Sequence, residues 1–489
     1  MTHFAHACGV HDAPRAAACE AALRTMRETG MERVRIGWCD MHGVLRGKTL
    51  MPHAAAGALL EGVGMVSTIL LKDTSDRTAY KVFEPGALDD LPGFGTANNL
   101  MLLPDPSSLC ELPWAPGTGW MRAQAWFTDA TSVSVDPRNV LQGALAQLAQ
   151  TGYGLRCGLE VEFHIYRIVR DALDPRRADW PGEPPEVELV HPGYNLLTEA
   201  NADMAEPVLR IVQSTALALG LPLRSLEIEL GPSQVEAVFD ATDALTAADQ
   251  MVLFRNGVRQ ALRRAGYYAS FVCRPPFPNV MASGWHLHQS LVNLGDASNA
   301  FMRSAPAPNT RPADATHALS DSGAMWLAGL LAHARGAAIF GTPSINGFGR
   351  YKPNAMAPLS VLWGRDNRGA MLRVLGAAGD AGTRIENRVG EPMANPYLYI
   401  ASQIHSGLSG LKQRLVPGRA TDSPYAQGER LPTDLGEALT ALEADAALCD
   451  AFGAPLVKLY SRIKRSELER HAAAADPDEW MRREYFSRF

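Results

Sequence analysis

The sequence predicts an α+β protein, with antiparallel strands and helices grouped outside them. Two patterns carry that reading. Stretches such as GLEVEFHIY, LEIELGPSQVE and WHLHQS alternate with a period of two, as strands do, which brings charged residues onto one face. Longer stretches such as ADMAEPVLRIVQSTALALG and AADQMVLFRNGVRQALRRAG read as helices with a 3.6-residue period. A third observation divides the chain. Its opening part is strand-rich, and the composition shifts at DPRNVLQGALAQLAQTG, which separates an N-terminal unit, 1–135, from a larger one, 136–489. A chain of 489 residues exceeds one ordinary core, which agrees with that division.

In chain order, residues 1–11 read as a loose tail. Asp12 with Pro14 starts a helix through AAACEAALRTMRETG, and Gly30 stops it. ERVRIGWCDMHGVLRGKTL is a hairpin with its turn at Asp40–Gly43. VSTILL is a further strand, LMLLPDPSSLCELPW a strand broken by prolines, and WMRAQAWFTD one more. Asp136 before Pro137 opens the next helix, which Gly152 ends. GLEVEFHIYRIV follows as a strand, LRSLEIELGPSQVEAVF as two strands around a turn, and SGWHLHQSLVN as a strand. SGAMWLAGLLAHARGAAIFG is a helix. The final segment, DLGEALTALEADAALCDAFG and LVKLYSRIKRSELERHA, is helical packing material.

Composition narrows the function. Charged residues make up 20% and hydrophobic ones 46%, the balance of a soluble enzyme. The net charge of −6 and a pI near 6.1 favour neither nucleic acid nor an anionic membrane. No apolar run has the length of a membrane span, and MTHFAHACGVHDAPR lacks the layout of a secretory signal. Seven scattered cysteines, with no CxxC pair, read as reduced thiols in a cytoplasm.

Chemistry concentrates in Gly341–Tyr397, where Arg350, Arg368, Arg373, Arg384 and Arg388 are spaced through apolar residues and turn formers. Guanidinium forks grip carboxylates and phosphates, so this spacing points to an anion pocket. In RIENR, Arg384, Glu386 and Arg388 share a strand face; taken by itself, the pentapeptide also fits an edge strand with alternating surface charges. Glu160 and Glu162 share a face of GLEVEFHIY. Glu227 and Glu229 are in phase before a Gly-Pro turn that leads to Glu236, and His286, His288 and Ser290 align in WHLHQS. Each strand alone fits a solvated face. Together in one sheet they need cations, because carboxylates ~4 Å apart repel by about 4 kcal/mol per pair at an effective dielectric of about 20. All-carboxylate ligation favours Mg²⁺, and one added imidazole still suits Mg²⁺ or Mn²⁺. Metals beside an arginine-lined anion pocket are the equipment of phosphoryl transfer. Neither GxxxxGK[ST] nor GxGxxG occurs, so a nucleotide site would be of another kind.

Read together, these strands resemble the glutamine synthetase superfamily, from the Asp40 hairpin to beyond Tyr397. The resemblance implies an N-terminal β-grasp domain and a large catalytic domain with a curved antiparallel sheet flanked by helices. It also implies ATP as substrate, two or three Mg²⁺ (or Mn²⁺) ions per site, and a homo-oligomer, a dodecamer of two stacked hexameric rings. By the same resemblance Glu162, Glu229 and Glu236 hold the first metal, and Glu160, His286 and Glu386 the second. His288, Ser290, Arg373 and Arg384 contact the nucleotide. Arg350, Arg368 and Arg388 hold glutamate and the transferring phosphate, and Asp40, Tyr194 and Glu229 form the ammonium pocket.

Two departures bear on the acceptor. Six residues after Arg350 the family has a flap glutamate that deprotonates the attacking nitrogen, and here NAMAP places Met356 there. Before the metal histidine the family favours an Asn-Gly-Ser-Gly-Met-His loop, and here the sequence is Met281-Ala282-Ser283-Gly284-Trp285-His286. Met356, Met281 and Trp285 make the amine side apolar, which suits a bulky, already neutral amine. The expectation is a ligase of the γ-glutamylanilide synthase branch, which joins the γ-carboxylate of glutamate to an aniline-type amine through a γ-glutamyl phosphate. Alternatives are an alkylamine or polyamine ligase, an ammonia-using synthetase, and a non-catalytic structural homologue. No covalent modification is expected at Tyr425, because RATDSPYAQGE matches the family's modified loop poorly.

Overall fold

The computed structural model describes residues 3–95, 97–303, 318–353, 355–423 and 426–489; Tyr425 lies outside them. Strands β1 (Arg33–Cys39), β2 (Leu45–Leu50), β3 (Val63–Val66), β4 (Asn99–Pro104), β5 (Cys110–Glu111) and β6 (Thr118–Phe127) make a first sheet in the order β2-β1-β6-β4-β3, with β5 on β6. The β1–β2 hairpin turns at Asp40–Gly43 as expected, with Gly43 at φ +75°. The helix starts also hold: Asp12 and Asp136 each accept a backbone N–H three residues on.

The second sheet carries most of the candidate acidic and imidazole residues. It comprises β7 (Tyr153–Arg170), β8 (Glu186–Leu189), β9 (Leu223–Ile228), β10 (Gln234–Asp243), β11 (Tyr267–Ser270), β12 (Trp285–Asn293), β13 (Trp363–Arg365), β14 (Leu372–Leu375) and β15 (Arg384–Asn387). Its order is β13-β14-β15-β12-β7-β10-β9, with β8 and β11 also paired to β7. All pairs are antiparallel except β13 with β14, which run parallel. RIENR is therefore not an edge strand: β15 is paired on both sides, by β12 and β14.

Helices α1 (Phe4–Ala7), α2 (Ala13–Glu28), α3 (Pro52–Glu61), α4 (Pro137–Ala149), α5 (Glu199–Ala218), α6 (Ala244–Arg264), α7 (Asp321–Ala332), α8 (Ala334–Gly341), α9 (Pro396–Gln413), α10 (Leu435–Ala444), α11 (Ala446–Phe452) and α12 (Ala454–Ala472) cover these sheets. Helix α9 supports β12 and β15 from behind. Its Gln403 Oε1 accepts from Gln289 of β12 at 3.1 Å and from Asn387 of β15 at 2.7 Å. Helices α7 and α9 cross so closely that a Cβ at Gly329 would lie 2.1 Å from Ser406 O, and one at Gly410 2.1 Å from Met325 O. Among the described residues no single helix is long and apolar enough to cross a membrane.

Several local expectations need correction. The tail contains α1, whose Ala5 packs with Leu103 and Trp126. In VSTILL only Val66 is strand; Ser67–Leu71 turns as a 3-10 helix, which buries the adjacent Leu70 and Leu71 together, as an alternating strand could not. The helix expected over SGAMWLAGLLAHARGAAIFG bends by 79° between α7 and α8. His333 sits at that bend, its ring held by Asp445 at 2.7 Å and Ser409 at 2.8 Å. The final helical segment is three helices, because Asp445 caps α11 and Gly453, at φ +83°, precedes α12.

Candidate active site

The period-two strands lay the acidic and basic side chains out as a ladder. Glu162 on β7 stands opposite Glu236 on β10, and Glu236 opposite Glu227 on β9. Glu160 stands opposite His286 on β12, His288 opposite Glu386 on β15, and Glu386 opposite Arg373 on β14. This face is not solvated, because His286, His288, Glu236 and Glu386 are all buried.

Glu162, Glu229 and Glu236 converge, each with a carboxylate oxygen within 4.8 Å of the others. The second expected trio is looser. His286 Nδ1 lies 3.5 Å from Glu160 Oε2 and 3.7 Å from Glu386 Oε1. Glu160 is the hub there: it clusters with Glu236 and His286 on one side, and with His288 and Glu386 on the other. His288 Nδ1 accepts from Arg384 Nε at 3.0 Å, which leaves the ring proton on Nε2, 2.9 Å from Glu160 Oε1.

The two groups of carboxylates differ electrically. Burial, then the charges of Glu162, Glu160 and Glu229, pushes Glu236 up to about 10. Glu162 is also pushed up, by burial and then by Glu229, and Glu229 by burial. Burial opposes ionisation of Glu160 too, but His286 and His288 outweigh it and hold that carboxyl well below the usual range. Glu386 is lowered in the same way, with His286 and Arg388 overcoming burial. Burial, then the Arg388 charge, pushes His286 down to about 4, which leaves it a neutral imidazole able to ligate. Three mutually repelling carboxylates and a neutral imidazole suit hard divalent cations, so the residues present fit such ions.

The arginines surround this ladder. Arg373 Nη1 donates to Glu386 Oε2 at 3.1 Å and its Nε to Asp366 at 3.0 Å, while Arg388 Nη1 donates to Glu386 Oε1. Arg388 Nε is buried without a protein acceptor. Arg350 Nη1 donates to Val389 O and Gly390 O at 3.0 Å each, and its other nitrogen reaches Gly284, next to His286. Arg368 is exposed on the turn between β13 and β14, outside the ladder. His288, Ser290, Glu160 and Arg384 line a cavity of about 360 Å³. Arg156 and Arg224 line it as well, and sequence reasoning missed both, although Arg156 lies in phase with Glu160 in LRCGLE.

The acceptor-side expectations divide. Tyr194 N–H donates to Leu230 O at 2.6 Å, beside Glu229, and its hydroxyl donates to Asn279 O. Met281 abuts Gly231 of the same turn. Met356, 53% exposed with φ +53°, accepts from Arg388 Nη2 at its carbonyl, 3.3 Å away. Trp285 does not line this side. It is fully buried and edge-on to Tyr399 of α9, with ring centroids 5.2 Å apart, because odd positions of β12 face away from His286. Asp40 does not reach the ladder either: Oδ1 accepts from His42 N and Val44 N, and Oδ2 from Arg46 Nε at 2.8 Å, all within its own hairpin.

The family model for the glutamine synthetase catalytic domain matches residues 134–485. A γ-glutamylanilide synthase of Acinetobacter sp is 37% identical over 488 residues, 96% of this chain and 96% of that one. A glutamine synthetase of Methanosarcina mazei is 30% identical over 476 residues, 95% of this chain and 97% of the other. Among solved structures, apo GmaS without ligand superposes with a TM-score of 0.74 at 27% identity, over 94% of this chain and 98% of that one.

Proposed function

This chain belongs to the glutamine synthetase family of ATP-dependent γ-glutamyl ligases, and on that premise we propose that its acceptor is an aromatic, aniline-type amine. Family members use ATP and divalent metal ions. Here Mg²⁺ or Mn²⁺, two or three per site, would sit among Glu162, Glu229, Glu236, Glu160, His286 and Glu386, where bound cations neutralise phosphate charge. The nucleotide would occupy the cavity beside His288, Ser290 and Arg384, with Arg373 at its edge. Arg388 and Arg350 would bind the glutamate carboxylates, Arg388 with the Nε donor it has free of protein acceptors, and Arg368 would approach the transferring phosphate from the rim. Once the γ-carboxylate is phosphorylated, the amine nitrogen attacks its carbon and phosphate leaves.

The observation that carries the acceptor assignment is the place of Met356: its backbone carbonyl accepts from Arg388 Nη2 at 3.3 Å, so a methionine, not an acid, stands on the segment that touches the arginine assigned here to glutamate. An arylamine lone pair is delocalised and its nitrogen is neutral at pH 7, so it needs no carboxylate for binding and less help from a base. The relative named γ-glutamylanilide synthase supports the same choice. An alkylamine is the second reading, favoured by Glu229 next to Tyr194, a carboxylate able to meet an ammonium group. A cytoplasmic, ring-shaped homo-oligomer and the division at 135/136 belong to the same proposal. ADP release with glutamate and a panel of aniline, ethanolamine and ammonium tests it. Aniline should give the highest kcat/KM, and preference for ammonium overturns it. No ADP release with any amine would favour the non-catalytic homologue.

A further inference from the structure

Gln234 lies outside every role assigned above. It is 1% exposed, two residues before Glu236 and on the same face of β10. Its Oε1 accepts Gly231 N–H at 2.9 Å, inside the turn that follows Glu229. Its amide nitrogen lies 3.1 Å from Glu162 Oε2, 3.1 Å from Ser283 Oγ and 3.3 Å from Ala282 O. Gly284 N–H donates to the same Glu162 oxygen at 2.9 Å. Two donors therefore occupy Oε2, which leaves Oε1 as the oxygen that Glu162 can turn to a cation. Ser283 Oγ accepts from Gln234 and lies 3.3 Å from His164 Nδ1. Gly231 makes the junction possible: a Cβ there would lie 2.5 Å from Gln234 Oε1 and 2.8 Å from Met281 Cβ.

We propose that Gln234 is a positioning residue with two arms. One aims a single oxygen of Glu162 at the carboxylate cluster. The other clamps the Met281–Gly284 loop against that cluster, so that cation binding and acceptor seating are coupled. The second arm rests on the ligase reading and on the acceptor side assigned under it.

The test is Gln234→Met, which keeps the shape and removes every side-chain hydrogen bond. Mn²⁺ titrated calorimetrically into the substrate-free protein should bind about tenfold or more weakly, the usual effect of losing a partner that orients a ligand. In turnover, the acceptor KM should rise while the ATP KM stays put. Ser283→Ala removes the side-chain contact of the loop arm and leaves the partners of Glu162 in place, so it should raise the acceptor KM and leave Mn²⁺ affinity near wild type. If Gln234→Met does not fold, Gln234→Asn, too short to span all these partners, should weaken Mn²⁺ in the same direction. Wild-type Mn²⁺ affinity in a folded Gln234 variant overturns the first arm, and a wild-type acceptor KM in Ser283→Ala overturns the second. A wild-type protein that turns over no amine would defeat the ligase reading, while the Mn²⁺ titration still decides the first arm.

Discussion

The carboxylate ladder and the proposed acceptor side lie next to each other and are built differently. Most of the ladder's side chains stand on β7, β10, β12 and β15, buried and held from neighbouring strands. On the acceptor side, Tyr194 and Met356 are half-exposed, sit on connections between elements, and have left-handed backbones, at φ +56° and +53°. A rigid sheet suits chemistry shared by a family, and loops suit the choice of acceptor, because a loop can change without moving the sheet.

That contrast breaks most visibly at a ladder residue. Glu162→Ala should lower kcat about a thousandfold, several kcal/mol of lost charge stabilisation, with the fold retained by circular dichroism. Near wild-type ADP release at low Mg²⁺ would remove Glu162 from the cation site. Arg388→Lys tests the seam between the two regions. Losing the guanidinium fork should raise the glutamate KM about 10–100-fold and the ATP KM by no more than about twofold. Equal rises would mean that Arg388 serves the nucleotide. Met356→Glu addresses the loops alone: a carboxylate there attracts ammonium and can take its proton, yet is costly to desolvate against an arene. The ratio of ammonium to aniline kcat/KM should rise about tenfold, with glutamate and ATP requirements steady. A flat ratio would place acceptor choice elsewhere.

The smallest effect concerns a buried group outside both regions. Glu391, which accepts from Ser344 N–H and Oγ–H beneath the turn of Arg350, is pushed up to about 7 by burial. A carboxyl raised in the folded state contributes stability that is present below about pH 4.5 and is lost as pH rises to about 7. Glu391→Gln should flatten that part of the profile of thermal unfolding against pH. An unchanged slope between pH 5 and pH 7, on the order of one proton, would exclude Glu391 as its source.

The ladder was legible because alternation is a local property: once GLEVEFHIY and WHLHQS are strands, Glu160, Glu162, His286 and His288 fall on one face. The same rule, applied to Trp285, would have placed it behind the sheet. Adjacency to His286 in the sequence is the opposite of adjacency in a strand. Asp40 lies away from the ladder within this chain for another reason. Its Asp-Met-His-Gly turn consumes the carboxylate locally, and such a turn looks the same in sequence whether or not the acid is available. The bend at His333 depends on Asp445 and Ser409, remote partners that helical periodicity cannot reveal. Gln234 was in phase with Glu236, but an amide carries no charge pattern to draw attention.

The crossing of α7 and α9 at Gly329 and Gly410 sets a limit on variation far from any reacting atom. Trp326 of α7 donates to Gln289 at 2.9 Å, and Gln403 of α9 reaches both Gln289 and Asn387. A single methyl group at either glycine would wedge the helices apart and carry Gln289 and Asn387 with them, shifting His286 and Glu386 on the front of the sheet. In a library of random substitutions, inactive clones with intact ligand residues should therefore gather at these two glycines, while the Tyr194 and Met356 loops accept many replacements and return altered preferences.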